Sequence, residues 1–120
     1  MSNARKFVIQ KHQREHQPVH WDLMFEAANT LQTYRLEFPP DRIPPQGIGA
    51  VRIFDHPVKF LTYQGTVNNG RGWVDIADQG TYQVLTESEN RRELLIEGNI
   101  LRGKFTLELI RDNNWQLLPS

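Results

Sequence analysis

The sequence predicts an all-β, mainly antiparallel fold that closes, or nearly closes, into a barrel with short loops and little helix. Three observations carry this expectation. Apolar residues recur in short runs of period two, rich in β-branched and aromatic side chains. Gly, Asn, Pro and charge clusters divide those runs at short intervals. No segment sustains a helical period long enough for a convincing helix, which leaves a barrel or strongly curved sheet of nine or ten short strands.

Taken in order, "KFVIQ" (6–10), "VHWDLMFE" (19–26) and "TLQTYRLEF" (30–38) read as the first strands. "PPDRIPPQG" (39–47) holds four prolines and a glycine, which cannot sustain ladder pairing, so it is expected as a surface loop. Strands resume at "AVRIF" (50–54) and "VKFLTYQG" (58–65), and "NNGRG" (68–72) supplies residues that accept positive φ and make a hairpin turn. "WVDIAD", "GTYQVL", "ELLIEG", "KFTLELI" and "NWQLL" then follow as separate strands, with "RDNNW" a tight turn that seats Trp115 in the core. Glu, Arg and Leu in "ENRRELLIE" (89–97) are helix formers, but Gly98 and the alternation after it favour strand.

The bulk numbers bound the function. A chain of 120 residues fits one domain spanning 1–120, and 38% apolar with 23% charged residues sustains a modest core. Formal net charge is zero, so contact with nucleic acid must come from a local patch. The absence of cysteine excludes disulfides, thiolate metal sites and cysteine nucleophiles. "MSNARKFVIQ" has no apolar run of signal-peptide length and no later stretch approaches a membrane span, so a cytoplasmic location and no membrane contact are expected.

"KHQREHQPVHWD" (11–22) crowds three of the four histidines and ends in His-x-Asp. Alternate residues of a strand share a face, so "VHWDLMFE" sends His20, Asp22, Met24 and Glu26 one way and Val19, Trp21, Leu23 and Phe25 the other. The second face is apolar and is expected to pack on the body of the fold. The first sets an imidazole and a carboxylate ~6–7 Å apart at the backbone, close enough to share one ion. In "FVIQKH", Gln10 and His12 project together with Val8, so His12 on a neighbouring strand would complete a His-His-Asp site for Zn²⁺, Mn²⁺ or Fe²⁺. The plainer alternative is a structural hydrogen bond between His20 and Asp22, with His12 on an exposed edge. His16 reads as a solvated loop residue that could stand in for His12. His56, held extended before Pro57 in "DHPVKF", is a candidate to bind or protonate a phosphate oxygen.

"FVIQKH", "HWDLMFE", "DHPVKF", "YQGTV", "DQGTYQVL" and "LRGKFTLELIRDNNWQLLP" follow one another as in the 3′-phosphoesterase domain of bacterial DNA ligase D, and the chain resembles its small stand-alone versions from about Lys6 to Pro119. The resemblance implies a compact β-barrel and a manganese-type ion held by His12, His20 and Asp22, with Zn²⁺ or another transition metal as alternatives. It also implies that Gln10 and His56 hold the phosphate. The implied activity is removal of a 3′-phosphate or 3′-ribonucleotide from DNA or RNA–DNA ends in repair. The product would pass to a separate ligase or polymerase, and the protein would be a monomer.

Two positions depart from the family pattern. Met24 stands where the ligase-fused domains usually have arginine, and Phe60 where they usually have tyrosine. Both replaced groups would donate hydrogen bonds to phosphate. Arg14, Arg35, Arg52 and Arg71 are the available substitutes. Two competing readings follow: a catalytically impaired module that binds nucleic-acid ends or a repair protein, and a 2-His-1-carboxylate iron oxygenase using His20, Asp22 and His56.

Overall fold

A computed structural model describes residues 4–120. The described residues form nine strands: β1 (Arg5–Arg14), β2 (His20–Ala27), β3 (Thr30–Leu36), β4 (Ile48–Pro57), β5 (Gly65–Val67), β6 (Gly72–Glu87), β7 (Arg91–Gly98), β8 (Arg102–Arg111) and β9 (Asn114–Pro119). Two short 3-10 turns, Pro40–Arg42 and Val58–Leu61, are the helical elements among them. The hydrogen-bonded order β1-β2-β3-β4-β9-β8-β7-β6 closes on itself because β6 pairs back onto β1, and β5 adds to β6 outside that ring. Each pairing is antiparallel. Closure abolishes the free edges that an open sheet would expose.

Alternation along the strands builds the interior. Phe7 and Ile9 of β1, Leu23 and Phe25 of β2, and Tyr34 and Leu36 of β3 join Leu94, Ile96, Leu107 and Leu117 in one buried cluster. Phe25 sits edge-on to both Tyr34 and Tyr82, an arrangement that suits the quadrupoles of aromatic rings. Register shifts interrupt the β1–β6 ladder at Ile9/Gln10 and the β3–β4 ladder at Leu31/Thr33. Such bulges bend and twist strands, and both lie beside the groups described below.

Asp78 of β6 organises the far end of the barrel. Its carboxylate, 2% exposed, accepts hydrogen bonds from the backbone N–H of Asn99, Ile100 and Leu101 at 2.7–3.1 Å. It thereby satisfies donors of the β7–β8 turn that would otherwise be buried unpaired. Gly98 makes room for it: a Cβ there would stand 2.6 Å from Asp78 Oδ2 and 2.7 Å from Phe7 Cζ.

The structure departs from the sequence reading in four places. The expected strand over 58–65 is absent, and of those residues only Gly65 lies in a strand, as the first residue of β5. Pro57 fixes an extended entry, and Val58–Leu61 then winds into a 3-10 turn, with the Thr62 N–H donating to the Lys59 carbonyl. "WVDIAD" and "GTYQVL" are one continuous strand, β6, which absorbs its irregularity as a bulge rather than a break. The Met24 face of β2 is not simply polar, since Met24, Val8 and Leu31 form a second buried cluster against Phe60, Leu61 and Ile76. Trp115 packs against the main core while remaining only partly buried, edge-on to Tyr34. The expected turn at "NNGRG" is present, with Asn68, Asn69 and Gly70 all at positive φ.

Candidate functional site

Register brings the first three site residues together. In the β1–β2 ladder His12 lies directly opposite His20, and Gln10 directly opposite Asp22. All four even-numbered side chains therefore stand on the face turned away from the main core. His12 Nδ1 lies 3.1 Å from His20 Nε2. Asp22 completes the triangle, with Oδ2 at 3.6 Å from His12 Nδ1 and Oδ1 at 3.3 Å from His20 Nε2. Among the described residues these form the one group of three or more potential ligands whose donor atoms converge, all within 4.8 Å.

The triangle offers donors that could hold a cation. Nδ1 and Nε2 face each other, so in the neutral protein one must donate while the other accepts, and only one proton fits between them. Asp22 is 3% exposed, and its Oδ1 has no aligned hydrogen-bond donor despite the nearby nitrogens. Burial pushes the Asp22 carboxyl up, but the contacts with His12 and His20, and the charge those rings carry when protonated, outweigh it and hold the group at about 2. A fixed carboxylate beside two imidazoles is a good donor set for a divalent transition metal.

Five buried side-chain polar atoms lack a partner among the described residues: Gln10 Oε1, His12 Nε2, Asp22 Oδ1, Arg35 Nε and Tyr34 OH. Four of the five belong to this one site. Native interiors satisfy nearly all such groups, so the concentration marks where an absent ligand or solvent is expected.

The site opens into a cavity of about 200 Å³ whose wall includes Gln10, His12, Asp22, Arg35, Phe54 and His56. His56, at the end of β4, is oriented by two contacts. Its Nδ1 lies 3.0 Å from the Phe54 carbonyl and 2.9 Å from Thr33 Oγ1. The Thr33 hydroxyl donates to the Leu31 carbonyl at 3.0 Å. A carbonyl can only accept, so Nδ1 carries the proton and Nε2 is left free to meet a ligand.

Gln10 occupies a different position in the network. Its Nε2 donates to the Phe60 carbonyl at 2.8 Å and the Tyr63 carbonyl at 2.7 Å. Both amide protons are thereby committed to the segment after the 3-10 turn, and Oε1 remains as an acceptor without a partner. This places Phe60 on the cavity wall, where it packs in the same cluster as Met24. The two positions that depart from the family pattern thus form one apolar floor.

Of the four candidate arginines, Arg14 and Arg35 line the cavity. Arg35 is the cross-strand partner of Asp22, with Nε 4.0 Å from Oδ1. It also lines a second depression beside His20, together with Arg14 and Glu37. Arg52 is committed elsewhere, bonded to Asp55 at 2.8 Å and lying over the Tyr34 ring. Arg71 borders a shallow surface depression with Arg14 and His16. His16 is exposed at positive φ and does not join the ligand group. His56 does not join it either, so the His20–Asp22–His56 triad is not assembled among the described residues.

Phe54 was not singled out by the sequence. Its signal was available, because an aromatic two residues before His56 on a strand shares that histidine's side.

The sequence is similar to known proteins over most of its length. The family model for the DNA ligase D 3′-phosphoesterase domain matches residues 10–109. The chain is also 26% identical, over 116 residues, to the multifunctional non-homologous end joining protein LigD of Pseudomonas aeruginosa, an alignment covering 90% of this chain and 13% of that protein. The match contains Gln10, His12, His20, Asp22 and His56, and over that span the chain belongs to the DNA ligase D 3′-phosphoesterase domain family.

Proposed function

We propose that this chain is a divalent-metal-dependent phosphoesterase acting on nucleic-acid 3′ ends, removing a 3′-phosphate or a 3′-terminal ribonucleotide during end joining. The observation that carries the reading is the convergence of His12 Nδ1, His20 Nε2 and the Asp22 carboxylate beside a cavity that also presents the free Nε2 of His56. Separations of 3.1–3.6 Å between the two ring nitrogens and the nearer carboxylate oxygens are short enough that the three side chains could share one ion. Mn²⁺ is the expected ion from the family, and Zn²⁺ suits the same donors.

When bound, such an ion supplies Lewis-acid polarisation of a phosphoryl oxygen and lowers the pKa of water. The protein's own groups do the rest. His56 meets a phosphate oxygen through Nε2, accepting or donating a proton there, while Thr33 and the Phe54 carbonyl fix its ring. Arg35 offers guanidinium donors beside Asp22 and replaces the positive charge absent at Met24. Gln10 is a positioning residue that ties the 58–63 segment to β1. The 3′-hydroxyl left behind is the group a ligase or polymerase requires, so a separate enzyme of that kind is the proposed recipient.

A primer-template bearing a 3′-phosphate, incubated with Mn²⁺, tests the reading. Metal-dependent release of phosphate that is lost in His12→Ala is expected. A wild type that gives no metal-dependent product overturns the activity.

A second reading keeps its own supporting observation. The apolar floor of Met24 and Phe60 removes two phosphate donors, which fits a module that holds 3′ ends without turnover. Salt-sensitive binding to those ends in the absence of product would select it.

A further inference from the structure

The lining of the cavity is chemically mixed. His12, Asp22 and Arg35 contribute polar and charged groups, and Ile53, Phe54 and Phe60 contribute apolar surface. At about 200 Å³ it lies below the roughly 300–1,000 Å³ of a pocket that engulfs a whole ligand. A phosphate and part of its sugar fit, and a nucleobase must lie outside, against the rim.

Phe54 is the rim residue built for that contact. It is 74% exposed, the most exposed of the large apolar side chains among the described residues. Phe38 and Trp73 are also exposed but do not line this cavity. The β3–β4 bulge sets it there: Leu31 pairs with His56 and Thr33 with Ile53, so Phe54 and Asp55 together face Gln32 alone. A bulge re-aims side chains, and here Ile53, Phe54 and His56 all reach one cavity. The Phe54 ring stacks on the His56 ring at 4.7 Å with only 11° between the planes. One face of Phe54 is therefore occupied by His56, and its exposure is that of the remaining surface.

The geometry points to Phe54 as a stacking platform for the base of the 3′-terminal nucleotide, a site that rests on the phosphoesterase reading above. The contact is indifferent to sequence, because every base presents a π face. It also couples recognition to chemistry, since the ring that would receive the base is stacked on the imidazole that meets the phosphate.

The test is fluorescence anisotropy with 5′-labelled primer-templates ending in a 3′-phosphate, in EDTA and again with Ca²⁺. One oligonucleotide carries a base on its terminal residue and the other is abasic there. Wild type is expected to bind the base-bearing end about 5- to 100-fold more tightly. Phe54→Ala should bring that affinity down close to the abasic value while weakening the abasic end far less, the residual effect being that of the lost stack on His56. Phe54→Trp should retain the preference, and Phe54→Leu, which keeps apolar bulk without a π face, should lose it. Equal wild-type affinity for the two ends, or equal weakening of both by Phe54→Ala, overturns the platform alone. Failure to bind either oligonucleotide overturns the nucleic-acid-end reading together with it.

Discussion

His12 and His20 are direct cross-strand partners whose ring nitrogens meet at 3.1 Å, with the Asp22 carboxylate closing the triangle. Two imidazole nitrogens this close leave room for one proton between them, and with the buried carboxylate they are the donor set that the proposed function assigns to a divalent ion. Calorimetric titration with Mn²⁺ or Zn²⁺ should therefore show a single site. His12→Ala and Asp22→Ala should each weaken it by more than the roughly 10–100-fold typical of an outer-shell partner, and His16→Ala should leave it unchanged.

Acid stability should depend on Asp22. Its carboxyl is held at about 2 rather than 3.8. A depressed folded-state value contributes stability that is fully present above the unfolded value and is lost as pH falls through the folded one. The window is thus about pH 4 down to about 2, and the contribution is roughly 2 kcal/mol. Asp22→Asn should flatten the acid limb of a stability-against-pH curve in that window. An unchanged limb would show that other carboxylates set it.

Arg35 and Arg52 should separate the proposed grip on phosphate from structure. Arg35 lines the cavity beside Asp22, whereas Arg52 is spent on Asp55 and Tyr34. Arg35→Ala should lower kcat/KM on a 3′-phosphate end by roughly 10- to 100-fold, with a smaller loss in Arg35→Lys. Arg52→Ala should leave kcat/KM nearly intact. Equal effects of the two alanine variants would remove the distinction.

Met24 and Phe60 share one apolar cluster, so restoring the family residues one at a time should not be simple. Met24 is 1% exposed, and Met24→Arg places a charge against Val8, Leu31 and Ile76. A loss of about 2–4 kcal/mol in denaturant unfolding is expected. Phe60→Tyr should be nearly neutral alone. The double variant should recover part of the loss, measured as coupling in a double-mutant cycle.

Asp78 and Gly98 should be structural. Asp78→Ala strands the N–H groups of Asn99, Ile100 and Leu101 and should cost at least about 3 kcal/mol. Gly98→Ala must displace both Asp78 and Phe7 and should fall in a similar range. Both variants, where folded, should still bind Mn²⁺, because neither residue is part of the ligand group.

How much of this was legible in the sequence depends on the reach of each interaction. Strand parity alone put His12, His20 and Asp22 on one side, because the short connection from β1 to β2 leaves a narrow choice of register. The same parity could not see that Met24 would be covered, since Leu31, Phe60 and Ile76 arrive from elsewhere in the chain. Val58–Leu61 was misjudged because Val, Lys, Phe and Leu alternate as a strand does, while the turn depends on local backbone closure after Pro57. The engagement of Gln10 was invisible, as its partners Phe60 and Tyr63 lie 50 and 53 residues away. Asp78 sat unremarked inside a strand for the same reason, with backbone partners more than twenty residues on.

The barrel wall of β1 and β2 has a consequence for how such a protein can change over time. Phe7, Ile9, Leu23 and Phe25 answer to folding, while His12, His20 and Asp22 would answer to the proposed chemistry, on alternate positions of the same two strands. Selection can therefore relax on one set without touching the other, and a lineage could lose turnover while keeping a soluble, well-folded product. A saturation scan that scores abundance and activity separately should beat with a period of two along these strands, the two readouts peaking out of step.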